Sequence, residues 1–162
     1  MAIGDMFLKV ETARMGVVKG EAGDAKHKGE IDILSWSWAM SSRSGMAAAG
    51  PSGRATLDEL RVVKKIDSAS TALMASLRSN ELIRKATLVV RKAGADPLEY
   101  LKITLQDARI TNLALDTEST EVVERVQFAF QRITVDYVPQ GGEGGGRGGM
   151  SFEADTRPET TK

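Results

Sequence analysis

Apolar and polar residues alternate with a period of two along most of this chain, the pattern of strands that bury one face. Met6-Phe7-Leu8-Lys9-Val10 and Gly16-Val17-Val18-Lys19-Gly20 are short apolar runs separated by a polar break. The alternation is clearest from Glu30 to Met40. There Leu34, Trp36 and Trp38 fall on one side, and Ile31, Ile33, Ser35 and Ser37 on the other. Tryptophan buries a large apolar area, so the Trp36/Trp38 side is expected in the core and Ser35 and Ser37 outside it. Leu57 to Lys65, Lys85 to Lys92 and Leu98 to Leu105 continue as strands, the last two flanking the turn sequence Gly94-Ala95-Asp96-Pro97. Val122 to Val138 reads as one long strand that changes phase. Val126, Phe128 and Phe130 share one side, whereas Ile133, Val135 and Tyr137 share the opposite one. A bulge or sharp bend produces such a slip and lets one strand serve two packed sheets.

Three segments break the pattern. Ser70 to Ser79 has helical spacing, with Ala69, Leu73 and Leu77 in line, Met74 beside them and Ser70 suited to the N-cap. Ser41 to Thr56 is built of small residues with no period, and a connection this long lies outside the core. After Pro139, Gln140 to Gly149 holds seven glycines in ten residues and Met150 to Lys162 is polar apart from Phe152. Such composition does not offset its ordering entropy. The expected division is therefore one domain over residues 1–140, carrying an extended loop at 41–56, and a flexible Gly-rich tail over 141–162.

Composition removes whole classes of function. The 162 residues carry 22 Lys+Arg against 22 Asp+Glu, so no general electrostatic grip on nucleic acid or an anionic membrane is expected. Cysteine is absent and there is one histidine, which excludes disulfides, thiol chemistry and most His-based metal sites. The N-terminus, Met1-Ala2-Ile3-Gly4-Asp5, does not read as a secretory signal, and no stretch of about 20 apolar residues offers a membrane span.

The candidate chemistry is thin. His27, in Asp24-Ala25-Lys26-His27-Lys28-Gly29, reads as a solvated loop histidine with no nucleophile or orienting acid in its local sequence. Asp58-Glu59, the adjacent acidic pair, is expected to point to opposite sides of a strand. The glycine run after Tyr137 lacks the Lys-Ser/Thr of a phosphate loop. Arg84-Lys85 and Arg91-Lys92 are accounted for as charges on a strand edge that deter indiscriminate pairing. No catalytic residue, cofactor or metal site is expected.

The ordered set of short motifs resembles the haemolysin-coregulated protein family, Hcp. The motifs are Val18-Lys19-Gly20-Glu21, Lys26-His27, Glu30 through Ser41 with its Ser-Trp-Ser-Trp centre, Lys65-Ile66-Asp67 before the helix with Leu73-Met74, Arg91-Lys92-Ala93-Gly94, Glu99-Tyr100-Leu101 with Ile103-Thr104-Leu105, and Val135-Asp136-Tyr137. The resemblance spans roughly Asp5 to Gln140. It implies a mainly β fold, a small β-barrel of two packed antiparallel sheets with one short α-helix on its side. It also implies a non-enzymatic subunit of the type VI secretion tube: homohexameric rings, stacked on one another, capped by a VgrG-like spike, surrounded by contractile sheath and baseplate proteins, and ejected without a signal peptide after cytoplasmic assembly. Small effector proteins would ride in the lumen.

On the same resemblance, Ser35 and Ser37 match positions that line the lumen. Arg43, Ser44, Gly45, Met46, Ala47, Ala48, Ala49, Gly50, Pro51, Ser52, Gly53 and Arg54 match the loop that reaches the neighbouring ring. Glu11 to Met15 looks like an insertion lengthening the first hairpin, and the tail departs from the family ending. The alternative from another class is a monomeric β-barrel that binds a small ligand inside. Against it stands an inner face already filled by Leu, Trp and Phe.

Overall fold

The β-branched and aromatic runs form strands that pair into one large antiparallel sheet and one small one. The computed structural model describes residues 5–42, 55–92, 98–139 and 149–156. In chain order the elements are β1 (Asp5–Thr12), β2 (Gly16–Val17), β3 (Ile31–Asp32), β4 (Ser35–Ser37), β5 (Met40–Ser42), β6 (Ala55–Leu57), β7 (Leu60–Lys65), α1 (Ser70–Arg78), β8 (Ile83–Arg91), β9 (Glu99–Glu118), β10 (Glu121–Tyr137) and β11 (Met150–Asp155). The large sheet runs β2-β1-β8-β9-β10-β7-β4, with β3 added to β1 and β11 to β10; β5 and β6 pair as a separate ribbon.

The segment 31–37 brings the two ends of the large sheet together. Ile31 and Asp32 pair with Leu8 and Phe7 of β1, and the Ile33 amide donates to the Met6 carbonyl at 3.0 Å. At the next residue the chain changes partner: the Leu34 amide donates to the Val63 carbonyl at 2.8 Å, and Ser35 to Ser37 pair with Val63 to Arg61 of β7. The sheet thus curls into a barrel whose joint is one switched segment.

This switch corrects the expectation of a single alternating strand from Glu30 to Met40. Ile31 and Ile33 are buried in the core, because before the switch their side faces inward. After it, Trp36 and Trp38 pack against the core while Ser35 and Ser37 are exposed.

A second irregularity creases the sheet. Buried residues along β8, β9 and β10 jump by three at one level, from Ile83 to Ala86, Leu105 to Ala108 and Phe130 to Ile133. In the registers, Arg84, Asp107 and Gln131 are the residues skipped at that level, and Asp107 has φ 52°. Three adjacent strands therefore exchange inward and outward sides along one row, which accounts for the phase change read in the final strand. A further one-residue shift at Gln127/Phe128 leaves Thr111 of β9 unopposed.

Leu8, Val10, Leu60, Val62, Leu88, Ile103, Leu105, Val126, Phe128 and Ile133 fill the interior; α1 packs on β9, and its Leu73 and the preceding Ala69 are buried in the same core. The helix begins differently from the sequence expectation. Ala69 is the N-cap, Asp67 Oδ1 accepts from the Ala69 amide at 2.9 Å, and the Ser70 hydroxyl turns back to accept from the Asp67 amide at 2.9 Å. Asn80, at φ 52°, ends the helix with its amide on the Leu77 carbonyl.

Three further expectations change. β8 is no edge: β1 and β9 flank it, and Arg91 is buried in ion pairs with Asp5 and Asp24. Asp58 and Glu59 lie in the connection between β6 and β7 rather than in a strand. Within the segment read as a flexible tail, Met150 to Asp155 forms β11 against Arg132 to Tyr137. The reason is an available edge: β7 covers only Val123 to Phe128 of that side of β10, so its last residues have unpaired backbone groups for β11 to satisfy. No helix is long and apolar enough to cross a membrane among the described residues.

Candidate functional site

Alternation in four neighbouring strands assembles the exposed face around Ser35 and Ser37. With Trp36, Val62 and Val126 turned inward, their neighbours on each strand must turn outward. Registers then place the outward residues in two rows. One runs Ser35–Val63–Arg125–Ala114 and the other Ser37–Arg61–Gln127–Asn112, each crossing β4, β7, β10 and β9. Between them lies an open hollow of about 300 Å³. Its floor is fixed from below by Trp36 and by Trp38, whose Nε1 donates to the Asp58 carbonyl at 2.8 Å.

The chemistry of this face is that of reversible polar contact. Small hydroxyls, two amides and the guanidiniums of Arg61 and Arg125 line it, with no carboxylate or imidazole in the lining to activate a serine. Glu59 organises one border, its Oε2 accepting from Thr111 Oγ1 at 2.7 Å and Gln127 Nε2 at 3.3 Å, while Glu118 pairs with Arg125 at another. The sequence reading identified the two serines but not Arg61, Asn112, Arg125 and Gln127. The alternation of Leu60/Val62 and of Val126/Phe128 already points those side chains outward; only strand order makes them neighbours.

His27 belongs to a separate cluster and corrects the expectation of a solvated loop residue. It is 7% exposed and stacks on Phe7 with ring centroids 4.4 Å apart. Its Nδ1 lies 3.0 Å from Glu30 Oε2 and its Nε2 2.6 Å from Glu99 Oε1. Both ring nitrogens face carboxylates, so neither addresses a hydroxyl nucleophile. The Arg91 guanidinium lies 5.0 Å from the Phe7 ring centroid and binds Asp5 and Asp24. Its hydrogen bond, with the one from the Lys26 amide, holds the Asp24 carboxyl down at about 2. The cluster ties the irregular stretch between β2 and β3 to β1, β8 and β9.

Residues 43–54 lie outside the described residues, but their base is in place: Met40, Ser41 and Ser42 pair with Leu57, Thr56 and Ala55, and the Asp58 amide donates to the Ala39 carbonyl at 3.0 Å. No group of three side chains able to hold a metal ion occurs among the described residues.

Residues 7–137 match the family model described as type VI secretion system effector, Hcp. The chain belongs to the Hcp family. Protein hcp1 of Pseudomonas aeruginosa is 36% identical to it over 150 residues, 90% of each chain. A type VI secretion system effector from Yersinia pestis superposes with a TM-score of 0.75 at 31% identity, covering 94% of this chain and 100% of that one. Hcp1 from Salmonella typhimurium gives 0.73 at 31% identity, covering 93% of each. As an Hcp protein, the chain is a secreted structural component of the type VI secretion tube rather than an enzyme.

Proposed function

We propose that this Hcp protein closes into six-membered rings that stack into a tube, and that Ser35 and Ser37 face the lumen, where effector proteins are held until the tube is ejected. The observation that carries the reading is the double row through those serines: a face four strands wide, polar and without a deep specific pocket. Hydroxyl and amide groups there, with Arg61 and Arg125, suit varied polar surfaces held weakly enough to be released. The spike, sheath and baseplate proteins complete the machine around it, and residues 43–54 join ring to ring. The domain that does this is 1–140, and β11 seals the edge of β10 beside it. A ligand-binding barrel gains no support, because fully buried side chains such as Leu8, Leu88, Leu105 and Phe128 occupy the interior.

Light scattering of the purified chain tests the ring: the expected mass is near six times 17.4 kDa, with ring-shaped particles in negative stain. A monomer without rings at every concentration tried would overturn it. For the lumen, Ser37→Arg is expected to keep the ring mass and abolish co-purification of an effector; retained effector would refute the lumen assignment.

A further inference from the structure

The hollow through Ser35 and Ser37 is uneven in charge. Both ionised side chains in its lining are cationic, Arg61 and Arg125, and no carboxylate joins them. The acids at its border are already occupied. Glu118 pairs with Arg125, and Glu59 accepts from Thr111 Oγ1 at 2.7 Å and Gln127 Nε2 at 3.3 Å. Arg61 differs from these neighbours: it is exposed and has no hydrogen-bond or ion-pair partner among the described residues. The face therefore offers a guanidinium whose fork of N–H donors is uncommitted.

Registers set this guanidinium in the middle of its row. Arg61 opposes Ser37 across one ladder and Gln127 across the other, and Gln127 opposes Asn112 in turn. Val62, buried in the core, anchors the strand from which Arg61 projects outward. A guanidinium presents paired N–H groups that match the two oxygens of a carboxylate, and the Ser37 hydroxyl beside it can supply a further donor. In open water such a pair contributes little; a protein surface seated over the hollow excludes water and strengthens it. A phosphate backbone is matched less well. Trp36 and Trp38 pack against the core, so the lining offers bases no exposed aromatic plane, and 22 acidic residues balance 22 basic ones over the chain.

We infer that Arg61 is the residue that selects cargo on this face, and that it selects protein surfaces bearing aspartate or glutamate carboxylates. The inference rests on the lumen reading and names the chemistry of what that face takes. A ring would repeat the Arg61 site around one cargo, so that contacts modest in themselves add up.

Two capped fluorescent peptides of equal length, one with glutamates and the other with glutamines at the same places in a Gly-Ser background, test this on the full-length protein. The glutamate peptide is expected to bind saturably, less tightly as salt rises, and the glutamine peptide roughly tenfold more weakly. Arg61→Gln should weaken the glutamate peptide by a similar roughly tenfold factor. Lys85→Gln, an equal charge change at an exposed position on β8, should leave it unchanged. Arg61→Glu should lose the glutamate peptide and gain a lysine one, a reversal that misfolding does not produce. Equal binding of the glutamate and glutamine peptides, no saturable binding, or indifference to Arg61→Gln overturns the assignment. Tighter binding of a single-stranded oligothymidylate overturns it too. The hollow lies within one chain, so the titration decides whether or not rings form. With a co-purifying effector, Arg61→Gln rings that keep it while Ser37→Arg rings lose it refute Arg61 and leave the lumen standing; retention by both refutes the lumen as well.

Discussion

Lys64 and Glu124 oppose each other across the β7–β10 ladder, Nζ to Oε2 3.2 Å, with both side chains fully buried. Lys64 Nζ also donates to Asp67 Oδ1 at 2.8 Å and Ser70 Oγ at 3.0 Å. One ammonium therefore joins two strands to the start of α1. Glu124 Oε1 has no hydrogen-bond partner among the described residues, so the pair satisfies itself incompletely. Lys64→Met alone, which strands a buried carboxylate, is expected to destabilise by about 3–5 kcal/mol. Lys64→Met with Glu124→Leu should be neutral or stabilising by up to about 4 kcal/mol. Urea denaturation of the two singles and the double gives the answer; a double variant as unstable as the single would contradict it.

Acid should loosen the Arg91 cluster before the barrel core. The folded Asp24 carboxyl sits at about 2 against an ordinary 3.8. A depressed folded value contributes stability that is fully present above about pH 4 and lost as pH falls from there toward 2. Melting temperature followed through that window should fall less steeply for Asp24→Asn than for the unaltered chain. Identical slopes would remove Asp24 from the acid response.

Gly20 is held by a close backbone approach. A Cβ there would sit 2.4 Å from the Glu30 carbonyl oxygen, whereas one at Gly23 meets nothing within 4 Å. Gly20→Ala is therefore expected to cost about 1–3 kcal/mol and Gly23→Ala almost nothing. Thermal melts of the two variants side by side distinguish crowding from a general loss of loop freedom.

Ending the chain after Pro139 removes β11 and uncovers Arg132 to Tyr137 on one edge of β10. The shortened protein should fold, melt roughly 2–4 °C lower for each kcal/mol that β11 contributes and aggregate more readily through the bare edge. Hydrogen exchange should show faster amides in 132–137 and unchanged ones in 123–128. An unaltered exchange pattern would mean that β11 contributes nothing to that edge.

Local periodicity made most strands, the helix and the outward turn of Ser35 and Ser37 legible in the sequence. What it could not supply was long-range pairing. The buried Ile31 and Ile33 depend on a change of partner between β1 and β7, and Arg91 is internal because two acids distant in sequence, Asp5 and Asp24, meet it. Polar side chains such as Lys64 and His27 are buried for the same reason: their partners come from other strands. β11 escaped notice because its residues pattern as exposed and only the vacant side of β10 gives them a place. The charges at Arg61 and Arg125 were visible as residues, but their approach to Ser35 and Ser37 is set by registers that no single strand encodes.

The partner switch at Ile33 and Leu34 gives the barrel a seam. Around the rest of the wall, long ladders such as that between β9 and β10 share any pull over many rungs. At the seam the circumference depends on two short ladders meeting end to end. A subunit loaded along its axis would unzip there first. Whatever grips the neighbouring residues Asp32–Leu34 would clamp that line shut.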